Sequence, residues 1–315
     1  MTGGTVLITG ASGFVGKHMV RALAASGWSV RAAARDPAAI PDIAGVERVR
    51  LPDLARAADW SQLVGGVSHI VHLAGIAHAP GQLPDEVYAR VNTQAVGELA
   101  RSANGRIERL VLMSSVRAQA GLSADHVITE TDPAKPTDTY GRSKLEAERL
   151  LAGSGVYFAV LRPAVVYGRG VKGNIASLAT LAQTPMPLPF GGLDNRRSLL
   201  ALENLSDAIE LVLTSPKAEG EIFLVADSEP ISVAEMVAAM REGLGRAPQL
   251  MRVPAGGVKR LMATFGKEAE WERLSGNFVI DTAKLRGIGW TPRVKTREGI
   301  AAMMRAPNGT GSLTK

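Results

Sequence analysis

The chain contains no cysteine. Disulfide frameworks, thiolate zinc sites, iron–sulfur clusters and thiol nucleophiles are thereby excluded. Aromatic residues make up only 4% of the 315 residues and are scattered, whereas a stacking platform for single-stranded nucleic acid needs them close together. Lys and Arg exceed Asp and Glu by 36 to 30, but like charges never form a block, so a nucleic-acid-binding arm is not expected. No uninterrupted apolar run reaches the roughly 18 residues of a membrane span. The first apolar stretch, Thr5 to Ile8, lacks the basic flank and the length of a signal peptide. The five histidines at 18, 69, 72, 78 and 126 form no HExxH pattern, and no metal is expected. The expectation is a cytoplasmic protein with no nucleic-acid partner and no membrane insertion. Its mild basic excess suits an anionic small molecule.

What is there is a regular alternation. Short apolar runs at Thr5–Thr9, Ser29–Ala34, Glu47–Leu51, His69–Ala74, Leu110–Ser114 and Tyr157–Leu161 read as strands. Val15–Ser26, Tyr88–Ala103 and Tyr140–Ala152 have helical periodicity. Apolar strands alternating with helices predict a doubly wound parallel sheet covered on both faces. The second half differs in texture. Thr184–Gly192 is too rich in Pro and Gly for a helix, Ile222–Val225 reads as a strand, and Val233–Gly243 and Gly257–Phe265 read as helices. The expected class is α/β, with a smaller mixed C-terminal lobe. Residues 1–168 would form the sheet half, with 197–226 returning to it. Residues 169–196 and 227–305 would form the lobe, and 306–315 a flexible tail.

The first strand runs into Thr9-Gly10-Ala11-Ser12-Gly13-Phe14-Val15-Gly16. A strand–turn–helix with glycines at this spacing points free backbone N–H groups and a positive helix end at one place, which suits a pyrophosphate. After the second strand, the position where an acid would bond ribose hydroxyls falls near Ala34, and Arg35 follows it. Arginine there can pair with a 2′-phosphate, so NADP(H) is preferred, while Asp36 keeps NAD(H) as the alternative. Tyr140 and Lys144 lie four apart and share a helix face. A nearby ammonium lowers a phenol's pKa, and such a pair suits proton transfer to or from a sugar hydroxyl. Ser114 and Ser115 end the fifth strand, where one hydroxyl could bond the same substrate oxygen.

These motifs, with HLAG at 72–75 and RPAVVYG at 162–168, resemble the extended short-chain dehydrogenase/reductase family, the NAD-dependent epimerase/dehydratases of nucleotide sugars. The resemblance runs to about Met304. It implies a Rossmann-type sheet and a lobe that holds a nucleotide diphosphate. It makes Tyr140 the acid/base, and Lys144 the residue that binds the nicotinamide ribose and lowers the phenol's pKa. Phe14, Val15, Asp53, Leu54, Ala74, Gly75, Pro163 and Val165 are placed along the cofactor, and Asn92 near the active centre. The substrate hydroxyl position is Ser115, with Ser114 behind it. Counted back from Gly121 it would be Val116. Val116 and Arg117 stand where a dehydratase carries an Asp–Glu pair, which speaks against dehydration.

In the lobe the resemblance assigns Asn174 to a phosphate, Leu188 and Phe190 to the uracil, and Arg197 to the diphosphate, with Arg196 as the alternative clamp and Arg273 as a further charge. It implies a UDP-sugar substrate and a homodimer through the helices 88–103 and 140–152. The strings RPAVVYGRGVKGN and PLPFGGLDNRRSLL resemble a subgroup acting on UDP-N-acetyl-hexosamines. The leading expectation is a 4-ketoreductase of a UDP-4-keto-6-deoxy-N-acetylhexosamine. The alternatives are a 4-epimerase that keeps NAD bound, and a non-catalytic NADP(H)-binding regulator.

Overall fold

The computed structural model describes residues 4–77, 83–264, 266, 271 and 275–305. Strand β1 (Thr5–Thr9) is an interior strand of a seven-stranded sheet. With β2 (Ser29–Ala34), β3 (Val46–Arg50), β4 (His69–His72), β5 (Arg109–Met113), β7 (Phe158–Pro163) and β10 (Glu221–Val225), the order is β3-β2-β1-β4-β5-β7-β10, parallel throughout. This is the expected α/β architecture, and its strand order reverses beside β1. Such a reversal opens a crevice at the carboxyl ends of the strands.

Alternation along each strand feeds two cores. Val6 and Ile8 face α1 (Phe14–Ala25) and α7 (Leu202–Thr214), meeting Met19, Leu23, Leu205 and Ile209. Leu7 faces the other way, toward α4 (Ala95–Ala103) and α5 (Thr139–Ala152), meeting Leu99, Ala147 and Leu151. Helix α7 and β10 therefore belong to the sheet half although they follow the first lobe segment.

Strand β7 continues into β8 (Val165–Tyr167) across the single residue Ala164, and β8 pairs with β9 (Leu199–Ala201). The pair β6 (Val127–Ile128) and β11 (Val279–Ile280) fixes a second crossing. Around these lie α6 (Asn174–Ala182), α8 (Val233–Gly243), α9 (Ala255–Thr264), α10 (Ala283–Gly287) and α11 (Thr296–Met304). Helix α8 begins with a capping box between Ser232 and Glu235. Tyr167 on β8 donates to Asp227, just past β10, at 2.8 Å.

Several bounds shift by one or two residues, and two departures lie beside the site. The helix expected over 88–103 is a short α3 (Asp85–Tyr88), a π-helical stretch at Ala89–Gln94, then α4. Strand β4 stops at His72 rather than Ala74, because Leu73 and Ala74 leave the sheet as the Ala74 N–H turns to the Thr9 hydroxyl. Phe265, Arg273 and 306–315 lie outside the described residues.

Candidate active site at the carboxyl edge of the sheet

The glycine turn occupies the crevice beside β1. Gly10 has φ +69°, and a Cβ there would lie 2.9 Å from the Ala74 nitrogen. Its carbonyl accepts from Gly13 N–H at 3.0 Å. A Cβ on Gly16 would sit 2.2 Å from that same carbonyl. Both positions therefore require glycine. Gly13 caps α1 with no side-chain hydrogen bond, so the cap residue itself leaves the first-turn amides uncovered. A dinucleotide pyrophosphate fits this cradle of N–H groups at a positive helix end. Phe14 and Val15, half-buried, open α1. Arg35 is exposed just beyond β2, and Asp36 spends its carboxylate on the Ala38 N–H. Past β3, Leu54 is buried beside Ala33 and Ala74, while the exposed Asp53 caps Ala55.

The chemistry-bearing side chains stand at the ends of β5 and α5. Asp138 caps α5 by accepting from Gly141 N–H at 2.7 Å, which fixes where Tyr140 emerges. The Ser115 side chain acts on the Tyr140 phenol and lowers its pKa. Burial pushes the Tyr140 phenol up to about 12, and Ser115 and Arg117 pull against that rise. Lys144, one turn on, is buried and donates to the Met113 carbonyl at 2.9 Å. Burial pushes its ammonium down to about 8, with Glu148 opposing. The sequence reading gave Lys144 the part of lowering the phenol's pKa. In the structure Arg117 adds a second cation whose charge pulls the phenol's pKa down, and Lys144 donates to the β5 carbonyl.

Of the two strand-end serines, only Ser115 reaches Tyr140. Ser114 is buried and bonds to Glu148, which also pairs with Arg162; Arg162 in turn donates to Gln119. Val116 is buried and apolar. Asn92 lies in the π-helical stretch, its Oδ1 accepting from Ile76 N–H at 2.8 Å and its Nδ2 donating to Ser143 at 3.0 Å. Such stretches recur at functional sites. A Cβ on Gly75 would fall 2.9 Å from Asn92 Oδ1 and 3.3 Å from Lys144 Nζ, so the glycine leaves these groups room. Pro163 ends β7, and Val165 is exposed on β8.

On the lobe side, the two candidate arginines have separate fates. Arg196 is exposed and paired with Glu235 at 2.7 Å. Arg197 donates to the Gly276 carbonyl at 2.7 Å and lies 5.7 Å above the Phe278 ring. Among the described residues it has no carboxylate partner. Burial, then Arg117, pushes its guanidinium down to about 10. Asn174 opens α6, after Gly173 at φ +68°. Leu188 and Phe190 are buried in the lobe's core with Leu193, Ile231 and Met236. Arg273 is outside the described residues.

The sequence reading missed the parts of three residues. Arg117 was read only as the absence of an acid pair. Glu148 was visible as the next member of the Tyr140–Lys144 row, four residues on. Arg241, on α8, is 1% exposed and donates to the carbonyls of Ala182, Thr184, Met186, Pro248 and Gln249. No local pattern marks a residue whose partners are all backbone.

A glycine cradle and a Ser–Tyr–Lys set on one sheet edge define a dinucleotide-dependent enzyme of the short-chain dehydrogenase/reductase type. The chain belongs to the NAD dependent epimerase/dehydratase family, whose profile matches residues 6–226. It is similar to a UDP-glucose 4-epimerase from Vibrio cholerae, with 32% identity over 314 residues covering 96% of this chain and 95% of that one. Among solved structures it is similar to MoeE5 in complex with UDP-glucose and NAD, with TM-score 0.75, 26% identity, and 96% and 97% of the two chains covered. It is also similar to MoeE5 in complex with UDP-glucuronic acid and NAD, with TM-score 0.74, 27% identity, and 96% and 98% covered.

Proposed function

We propose that the protein is a 4-ketoreductase of a UDP-4-keto-6-deoxy-N-acetylhexosamine. The observation that carries this reading is the Ser115–Tyr140 pair, set on the same sheet edge as the glycine cradle and facing a lobe whose Arg197 has no carboxylate partner among the described residues. Gly10, Gly13, Gly16, Ala74, Gly75 and Lys144 would hold the dinucleotide, and Arg197 the substrate diphosphate by charge-assisted hydrogen bonds. The nicotinamide, when bound, supplies hydride to the sugar's C4. Tyr140 stays protonated through the neutral range and gives its proton to the C4 oxygen, which Ser115 orients. The exposed Arg35, beside an Asp36 already used by its own turn, supports NADP(H) over NAD(H). The exposed Leu150 on α5 supports a homodimer through α4 and α5.

The similarity to the Vibrio cholerae epimerase favours a second reading, a UDP-hexose or UDP-N-acetylhexosamine 4-epimerase. Cofactor released on denaturing the purified protein separates the two. Empty protein that binds NADPH better than NADH, and then reduces UDP-4-keto-6-deoxy sugars, supports the reductase. Stoichiometric NAD⁺ with no net redox change supports the epimerase. Tyr140→Phe should lower turnover about 10² to 10⁴-fold in either case. Unchanged turnover in that variant would remove Tyr140 from the mechanism, and cofactor binding without turnover in the wild type would point to a regulator.

A further inference from the structure

Ser115 and Tyr140 stand at the ends of two different elements, and the chain between them is long and passes through β6. Their covalent connection therefore does not set the register of one against the other. Two direct ties do. On one side, Lys144 Nζ donates to the Met113 carbonyl at 2.9 Å. On the other, Arg117 Nη2 donates to Asp138 Oδ2 at 2.6 Å. Met113 and Arg117 flank Ser115 along the chain, and Asp138 and Lys144 flank Tyr140. The reacting pair is thus bracketed. A single point of contact leaves a rotation free, and two points on either side of the pair remove it.

The Arg117–Asp138 tie reaches each hydroxyl through the backbone. The Arg117 main-chain N–H donates to Ser115 Oγ at 3.1 Å, which orients that hydroxyl. Asp138 accepts from Gly141 N–H at 2.7 Å through its other oxygen, which places the first turn of α5 and Tyr140 within it. The two backbones meet here, since a Cβ on Gly141 would fall 2.3 Å from the Arg117 carbonyl. Stability alone does not explain the pair. Arg117 Nη1 is covered and has no partner among the described residues, a donor left unsatisfied at a cost. The Asp138 side chain opposite is 45% exposed, and an ion pair so placed returns little. What the pair supplies is geometry.

We propose that the Arg117–Asp138 pair is a positioning clamp, which holds the Ser115 and Tyr140 hydroxyls in register so that one substrate oxygen can meet both. In this role Arg117 and Asp138 touch no substrate and act through the pair they hold. This rests on the reading of Ser115 and Tyr140 as the reacting pair, and the test separates the two. The full chain is labelled with carbon-13 at the tyrosine ring carbon that bears the hydroxyl. It has four tyrosines, so Tyr140→Phe assigns the Tyr140 signal. Ser115→Ala should move that signal. Arg117→Met and Asp138→Asn should move it too, and adding Ser115→Ala to either should change little more. A change of charge alone would add to the Ser115 effect, whereas a lost register replaces it. Asparagine keeps an acceptor for the Gly141 N–H and loses only the charge, so Asp138→Asn decides the matter if Arg117→Met unfolds. Arg117→Lys keeps a cation for Asp138 and should stay near the wild type. In the Arg117→Met and Asp138→Asn variants kcat on UDP-sugars should fall about 10 to 100-fold, while the affinities for UDP and for NAD(P)H hold. A Tyr140 signal untouched by these variants overturns the proposal. So do additive shifts for Ser115→Ala and Asp138→Asn, and so does a loss that falls on UDP or cofactor affinity instead of kcat. Coupled shifts in a wild type that turns over no UDP-sugar would uphold the clamp and overturn the reading of the chemistry it serves.

Discussion

Tyr140 and Lys144 are displaced from their ordinary pKa values in opposite directions by burial, to about 12 and about 8. The phenol therefore keeps its proton across the working range, and the ammonium is the group that titrates within reach of it. Its folded value lies below its unfolded one, so the charged form is the one burial penalises, and it is lost as pH rises through about 8. A rate that depends on charged Lys144 should hold at neutral pH and fall above about 8. A kcat/KM profile checks this, and Lys144→Met should be low and without that alkaline limb. Glu148 opposes the downward shift and pairs with the 5%-exposed Arg162. Glu148→Gln keeps the shape but leaves buried cations without their anion. It should cost about 3–5 kcal/mol in urea unfolding and move the alkaline limb to lower pH. The sequence made Tyr140 and Lys144 legible because their spacing sets a shared helix face. It did not show that Lys144 would turn to the Met113 carbonyl, since that depends on where β5 ends beneath the helix.

Elements whose partners lie nearby in sequence were the most legible. β1 and β2 have the boundaries that their apolar runs predict, and α1, which joins them, packs on one face of both. The interruption at Ala89–Gln94 left no trace in composition, since a change in helical hydrogen bonding keeps the same residues. Its cause is distant, with Asn92 bound to Ile76 and Ser143. The Thr184–Gly192 loop was recognised as non-helical, but not as a held structure. Leu188 pairs with Gln249 and Met251, Gly191 N–H bonds to the Met251 carbonyl, and Arg241 fills five carbonyls beneath them. Arg241→Met should leave these acceptors unsatisfied and cost on the order of 3 kcal/mol or more. Urea unfolding would read that loss, and weaker UDP binding with intact cofactor binding would place it in this loop.

At the scale of the whole molecule, a ligand that binds only the folded chain adds stability by mass action. A cofactor at a hundred times its Kd should add about 2.7 kcal/mol, visible as a higher Tm. Gly16→Ala would force the Gly10 carbonyl, 2.2 Å from the new Cβ, out of place. That variant should show a lower Tm and lose most of the cofactor-induced rise. The doubly wound sheet was predictable because apolar strands and helices alternate along the first half, as where β1 runs through the glycine turn into α1. The lobe was predictable only as a change of texture, since its segments are brought together by pairings such as β6 with β11 across a long stretch of chain.

The passage from β7 into β8 across Ala164 bears on how the molecule can move. β9, paired with β8, leads straight from the lobe back into α7, and Asp227 ties the two passages by accepting from Tyr167 Oη and from Ala201 N–H. A joint made this way is a weld rather than a hinge, and a swinging closure would have to shear paired strands. The scattering envelope should therefore change little when ligands bind. Substrates meet a cleft whose walls are already set, and discrimination among them falls to the side chains on those walls.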